Sequence, residues 1–139
     1  MRALAAGRWN LSVGLTGLTL FMVYGFVLIY MRDFAPDHEQ WAADYGNGTH
    51  FEARLAHVHG ALFSLLNVLM GMVLSHLKVA DKQRAWIGGL TLAGLLMPLG
   101  IVAEFTLGAP PVLVLVGAVC IMVAFGWASV AALHRGGNT

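Results

Sequence analysis

The sequence predicts an all-α integral membrane protein, a four transmembrane helix bundle with both termini cytoplasmic. Two observations carry that expectation. Hydrophobic residues fill 58% of the 139 positions and charged residues only 11%, with a mean hydropathy of +0.74, so there are too few charges to cover a soluble surface of this size. The apolar residues also gather into four runs at about 11–30, 53–77, 86–105 and 111–133, each near the ~20 residues a helix needs to cross the hydrocarbon. A buried soluble bundle would show polar outer faces at helical spacing, whereas the stretch 112–123 is apolar all round.

The first run is long for the apolar region of a signal peptide. It ends in Tyr30-Met31-Arg32 without a small-residue cleavage site, so it is expected to remain as span one. Basic residues set the orientation: Arg2 and Arg8 precede span one, Lys78, Lys82 and Arg84 follow span two, Arg135 follows span four, and the third connection has none. The positive-inside rule then places both termini in the cytoplasm, in a bacterial inner membrane.

The loop 32–52 holds Asp33, Asp37, Glu39, Asp44 and Glu52. As the long acidic connection it is expected outside, with Trp41 and Tyr45 at headgroup level. The second span opens with Leu55-Ala56-His57-Val58-His59-Gly60, which puts two histidines toward that outer face. Ionisable side chains inside a bilayer are costly and so mark a candidate site.

The third span contains Pro98 and ends near Glu104. Proline lacks an amide donor, so it frees a carbonyl near Gly94 and is expected to kink the helix there. The fourth span holds Cys120, the chain's one cysteine; no intramolecular disulfide is available, and packing is its expected role. Asn47-Gly48-Thr49 matches a glycosylation acceptor, a pattern too short to carry weight.

Seventeen glycines are present. In bilayers, small residues let helix backbones approach closely, and Gly14, Gly17, Gly88, Gly89, Gly94, Gly117 and Gly126 are candidates for contacts within the bundle, with other membrane subunits, or between copies. No internal repeat, phosphate-cradling loop or basic patch occurs, and the formal net charge is +1. Lipid and membrane subunits are the expected partners, and nucleic acid is not.

Helix geometry separates the two histidines, since each residue turns the helix by about 100°. His57 shares its face with Ala53, Gly60, Ala61, Ser64, Val68, Gly71 and Ser75, small residues suited to helix packing. His59, about 200° away, lies among Leu55, Leu62, Phe63, Leu66, Met70 and Val73, a bulky face suited to lipid, a partner subunit or a flat cofactor.

Each histidine has a structural reading beside a functional one. His57 is either a buried neutral ring bonded to Ser64, a backbone carbonyl or Glu104, or a ligand oriented by the Glu104 carboxylate. His59 is either an interfacial ring with its tip in water or an axial ligand. Glu104, Ser64 and His50 are candidates for orienting the imidazoles or relaying protons. His38, His50 and Glu52 supply ligand types for Zn or Cu, at irregular spacing. His76 is about 28 Å from His57 along the helix axis; it and His134 suit cytoplasmic helix ends.

Tyr30-Met31-Arg32, the acidic Pro36-containing loop with Tyr45, and Leu55-Ala56-His57-Val58-His59-Gly60-Ala61-Leu62-Phe63 resemble the helix I to helix II passage of haem-copper oxidase subunit I. The resemblance spans about residues 30–63. In that family a similar arginine closes helix I, and a histidine in a His-Gly context near the outer end of helix II is an axial ligand of the low-spin haem. The resemblance therefore implies haem b bound through His59. It also implies N-terminus-inside topology.

The family also uses further haem- and copper-ligating histidines on later helices, and here spans three and four contain none before His134. A second axial ligand would have to come from another copy, a partner or a methionine. Two functions are thus expected: an accessory subunit of a larger respiratory or other electron-transfer membrane complex, not catalytic on its own, or a haem-binding redox protein using His59 or His57. A lipid- or quinone-converting enzyme would be expected to show arginine clusters or paired cysteines, and neither occurs.

Overall fold

The computed structural model describes residues 2–133. Its elements are α1 (Arg2–Asp33), α2 (His38–Ala43), a 3-10 turn at Asp44–Gly46, α3 (Gly48–His76), α4 (Asp81–Ala93), α5 (Leu96–Leu107) and α6 (Val112–Leu133). Among the described residues there is no strand. Four helical stretches, Gly7–Asp33, Gly48–His76, Asp81–Leu107 and Val112–Leu133, are long and apolar enough to cross a membrane, and the chain is an integral membrane protein. The expectations placed on His134 and Arg135 lie outside the described residues, as does the side chain of Arg2.

The helices outrun the uncharged runs at several ends. α1 includes Arg8, Trp9 and Asn10, and α3 begins at Gly48 rather than near residue 53. Hydropathy marks only what crosses hydrocarbon, whereas the backbone ladder continues into the interface. Asn47 stops the ladder at the start of α3, with φ −155° and ψ 179°. At the same end of the bundle α5 closes on Gly108, whose φ of +65° is the left-handed cap conformation glycine adopts without a Cβ clash.

The third span is broken between α4 and α5. Pro98 has no amide to give the Gly94 carbonyl, and Met97 N–H bonds that carbonyl instead at 3.0 Å, three residues ahead. Leu95 N–H likewise reaches Leu92 O at 3.0 Å. The break is therefore a tight turn whose backbone groups are satisfied, with Pro98 in the first turn of α5, where its missing donor costs little.

α3 is the hub. It packs along α1 on one side and against α4 and α5 on the other, while α6 closes over α4 and α5. The α1–α3 seam is antiparallel, with residues in steps of three and four on both helices, the coiled-coil period. Gly7 faces Gly71, Asn10 faces Asn67, Gly14 faces Ser64 and Val68, Phe21 lies over Gly60, and Gly25 meets His57. A Cβ on Gly71 would stand 2.7 Å from Gly7 O, and one on Gly14 would stand 2.7 Å from Ser64 O. Backbones this close require the absence of a side chain.

Three spans are also fastened by buried amides. The Asn10 amide donates to Asn67 Oδ1 at 2.9 Å and to Gly88 O at 3.0 Å, and the Asn67 amide donates to Thr91 O and Phe63 O, each at 3.0 Å. Thr91 Oγ1 donates to Ile87 O at 2.7 Å. Asn10, Asn67 and Thr91 are fully buried. Beside this cluster Met70, Leu74, Ile87 and Ala128 form an apolar core shared by α3, α4 and α6.

The glycine expectations divide by face. Gly14, Gly17, Gly94 and Gly117 sit at close helix contacts, and Gly88 accepts the Asn10 bond. Gly89 and Gly126 have open space where a Cβ would go, so the packing expected of them does not occur within the chain. Gly89 follows Gly88 by one residue, which turns it about 100° away from the buried face.

Candidate functional site

The antiparallel register brings the C-terminal half of α1 beside the start of α3, and the connection between them folds back onto this end. His50 is the pivot of that fold. It is 3% exposed, stacks on Trp41 at 4.7 Å between centroids, and meets Tyr45 edge-on at 5.4 Å. Its Nδ1–H donates to Trp41 O at 2.6 Å. Arg54, one turn further along α3, lies 3.6 Å over the Tyr45 ring and donates to Tyr45 O at 2.9 Å. Tyr45 and Trp41, expected at headgroup level, are thus held against the first turns of α3.

Beneath this cap is a groove of about 460 Å3 between α1 and α3. Its wall is apolar, including Met22, Phe26 and Ile29 of α1, and its polar lining comes from Arg32, Tyr45, His50, Arg54 and His57. The two arginines differ electrostatically. Arg32 grips Asp33 through two bonds of 2.8 and 2.7 Å, whereas among the described residues no carboxylate lies within ion-pair distance of Arg54.

His57 lies against the backbone of Gly25, where an added Cβ would sit 2.8 Å from its Cε1, and its ring meets Tyr24 edge-on at 6.0 Å. Nδ1 is sealed and has no hydrogen-bond partner. An unpaired buried donor is less tolerable than an unpaired acceptor, so the proton of the neutral ring belongs on Nε2. His57 therefore offers the groove an N–H donor. Metal ligation through Nε2 would drive the proton onto Nδ1, where nothing accepts it.

The bonds expected between His57 and Ser64 or Glu104 are not formed. His57 faces α1 while Glu104 is carried by α5, and Nδ1 of His57, Oγ of Ser64 and Oε1 of Glu104 are each buried without a partner. Ser64 is instead fixed by the α1 seam, its Oγ and Cβ lying against Gly17.

His59 is half-buried on another side of α3, as helix geometry expects, with Phe63 6.2 Å away. Two members of its bulky face, Phe63 and Met70, are core residues rather than outward ones, because α5 and α4 cover that side of the hub. Its Nδ1–H donates to Leu55 O at 2.9 Å, which leaves the Nε2 lone pair available to a ligand. His76 makes the equivalent bond to Met72 O at 2.9 Å, so the arrangement is common to helical histidines.

Among the described residues no three His, Cys, Asp or Glu side chains converge as a metal site. Of the ligand types considered for Zn or Cu, His38 bonds Ala35 O at 3.0 Å and His50 is engaged by Trp41.

Sequence reasoning overlooked Asn10, Asn67 and Thr91, and used Arg84 only as a marker of orientation. Arg84, 9% exposed, donates to Leu74 O and, at 3.0 Å, to Leu77 O, capping the carbonyl end of α3. The legible signal for the amides was their spacing with glycine: 7, 10, 14 and 17 on one helix and 60, 64, 67 and 71 on the other. Compared with known proteins, the chain matches no family model, no curated protein and no solved structure.

Proposed function

We propose that the chain is a small accessory subunit of a larger membrane assembly of electron-transfer subunits, with its termini in the cytoplasm and the loop 32–52 outside a bacterial inner membrane. The observation that carries this reading is the use made of polar groups inside the spans. Asn10, Asn67 and Thr91 direct their hydrogen bonds to one another and to backbone carbonyls, which makes a fixed scaffold of three spans. α1 meanwhile has only 6% of its apolar window buried within the chain and leaves Trp9, Leu20, Met22 and Phe26 exposed, a long face for lipid and neighbouring helices.

The test is purification from native membranes in a mild detergent, with subunits identified by mass spectrometry. Stoichiometric recovery with other membrane subunits is expected. Recovery of the chain alone, with no change on gentler solubilisation, contradicts the reading.

His59 supports a second reading, a haem-binding electron-transfer protein. Its Nδ1–H bond to Leu55 O fixes the tautomer an axial ligand needs. The opposite axial ligand would be supplied by another copy or a partner. A Soret band lost in His59→Ala and retained in His76→Ala is the expected result; a colourless preparation that takes up no added haem rules it out.

A further inference from the structure

The groove under the 34–47 connection has a chemistry that the accessory role does not require. Its α1 wall is apolar over Met22, Phe26 and Ile29, all within the first membrane-crossing stretch. Its outer end carries Arg54, a cation with no carboxylate partner among the described residues, held in place by the Tyr45 ring and carbonyl. A guanidinium has five N–H groups, and the Tyr45 carbonyl takes one. The Nε2–H of His57 adds a neutral donor deeper in the groove. The N-terminal end of α3, a 29-residue helix whose Asn47 cap makes no side-chain hydrogen bond, adds positive potential at the same end.

From these features we propose that the groove is a binding site for one anionic phospholipid, with an acyl chain along α1 and the phosphodiester at Arg54. The volume of about 460 Å3 falls in the range of sites that enclose a substantial part of a small amphiphile. Anionic rather than zwitterionic lipid follows from Arg54: a fixed, unbalanced cation in a partly desolvated site favours net negative charge. Arg32 does not compete for the headgroup while Asp33 holds it. A free anion would satisfy Arg54 but leave the apolar wall uncovered.

The test measures binding of a fluorescent phosphatidylglycerol to the purified full chain in detergent, with unlabelled phosphatidylglycerol, phosphatidylcholine and inorganic phosphate as competitors. Phosphatidylglycerol should compete best, phosphatidylcholine weakly and inorganic phosphate not at all. Arg54→Gln should weaken binding on the order of fivefold, the effect of one basic residue at an anionic lipid surface, while Arg54→Lys restores the preference and Lys82→Gln, at the far end of the bundle, leaves it unchanged.

A second variant, Ile29→Trp, fills the chain-binding wall without touching Arg54 and should also weaken binding, with helicity checked by circular dichroism in both cases. Equal competition by phosphatidylcholine, displacement by inorganic phosphate alone, or unchanged binding in folded Arg54→Gln or Ile29→Trp overturns the proposal.

Discussion

Replacing Asn67 with leucine, which has the same branched outline and no hydrogen-bonding atoms, should destabilise the bundle through lost hydrogen bonds. Asn67 makes two bonds between helices, accepting from the Asn10 amide at 2.9 Å and donating to Thr91 O at 3.0 Å. Side-chain bonds between membrane helices average about 0.6 kcal/mol and reach about 1.7 kcal/mol, so the loss should lie between about 1.2 and 3.4 kcal/mol. That is roughly an eight- to three-hundred-fold shift in the folding equilibrium. Reversible unfolding in mixed micelles of increasing SDS content, followed by circular dichroism, reads it directly.

The asymmetry of hydrogen bonding sharpens the prediction. Asn67→Leu leaves one Asn10 N–H without its partner in an apolar interior, whereas Asn10→Leu combined with Asn67→Leu leaves neither side chain orphaned. The double variant should therefore be more stable than the sum of the single losses predicts. Strict additivity, or a loss in Asn67→Leu below about 0.5 kcal/mol, the scale of surface substitutions, would refute the account of the buried amides.

Other consequences follow from the same packing. Gly71→Val should disrupt the α1–α3 seam, because its Cβ would meet Gly7 O at 2.7 Å, while Gly126→Ala, with open space around it, should leave SDS resistance unchanged. Arg84→Met should cost about 1.5–3 kcal/mol, the range for a hydrogen bond from a charged group, since it uncaps the carbonyl end of α3; Lys82→Met in the same assay should cost little. A reporter fused after Thr139 should be active only in the cytoplasm, and activity on the far side of the membrane would reverse the assignment of the 32–52 loop.

The spans were legible because apolar composition alone marks them, and Pro98 announced the break in the third. The separation of His57 from His59 was legible too, since residues two apart on a regular helix point about 200° away from each other. What lay opposite each was not. That His57 meets Gly25 and that Glu104 stands apart from it depend on the register of α1, α3 and α5, which no single-helix projection contains. Asn10 falls outside the uncharged run and Asn67 inside one, so hydropathy gave no reason to pair them.

The cap over His50 was beyond reach for a related reason. It needs the path of a loop whose Trp41 and Tyr45 contacts are made with a different element.

The claim on which the scaffold and the groove both depend is the antiparallel α1–α3 register. In native membranes, with Cys120→Ser to remove the native thiol, Asn10→Cys and Asn67→Cys should form an intramolecular disulfide on mild oxidation, because these side chains meet across the seam. Asn10→Cys alone, with Cys120 retained on α6, should stay reduced. Failure of the 10–67 pair to cross-link, or formation of a bond from position 10 to Cys120, would contradict the account.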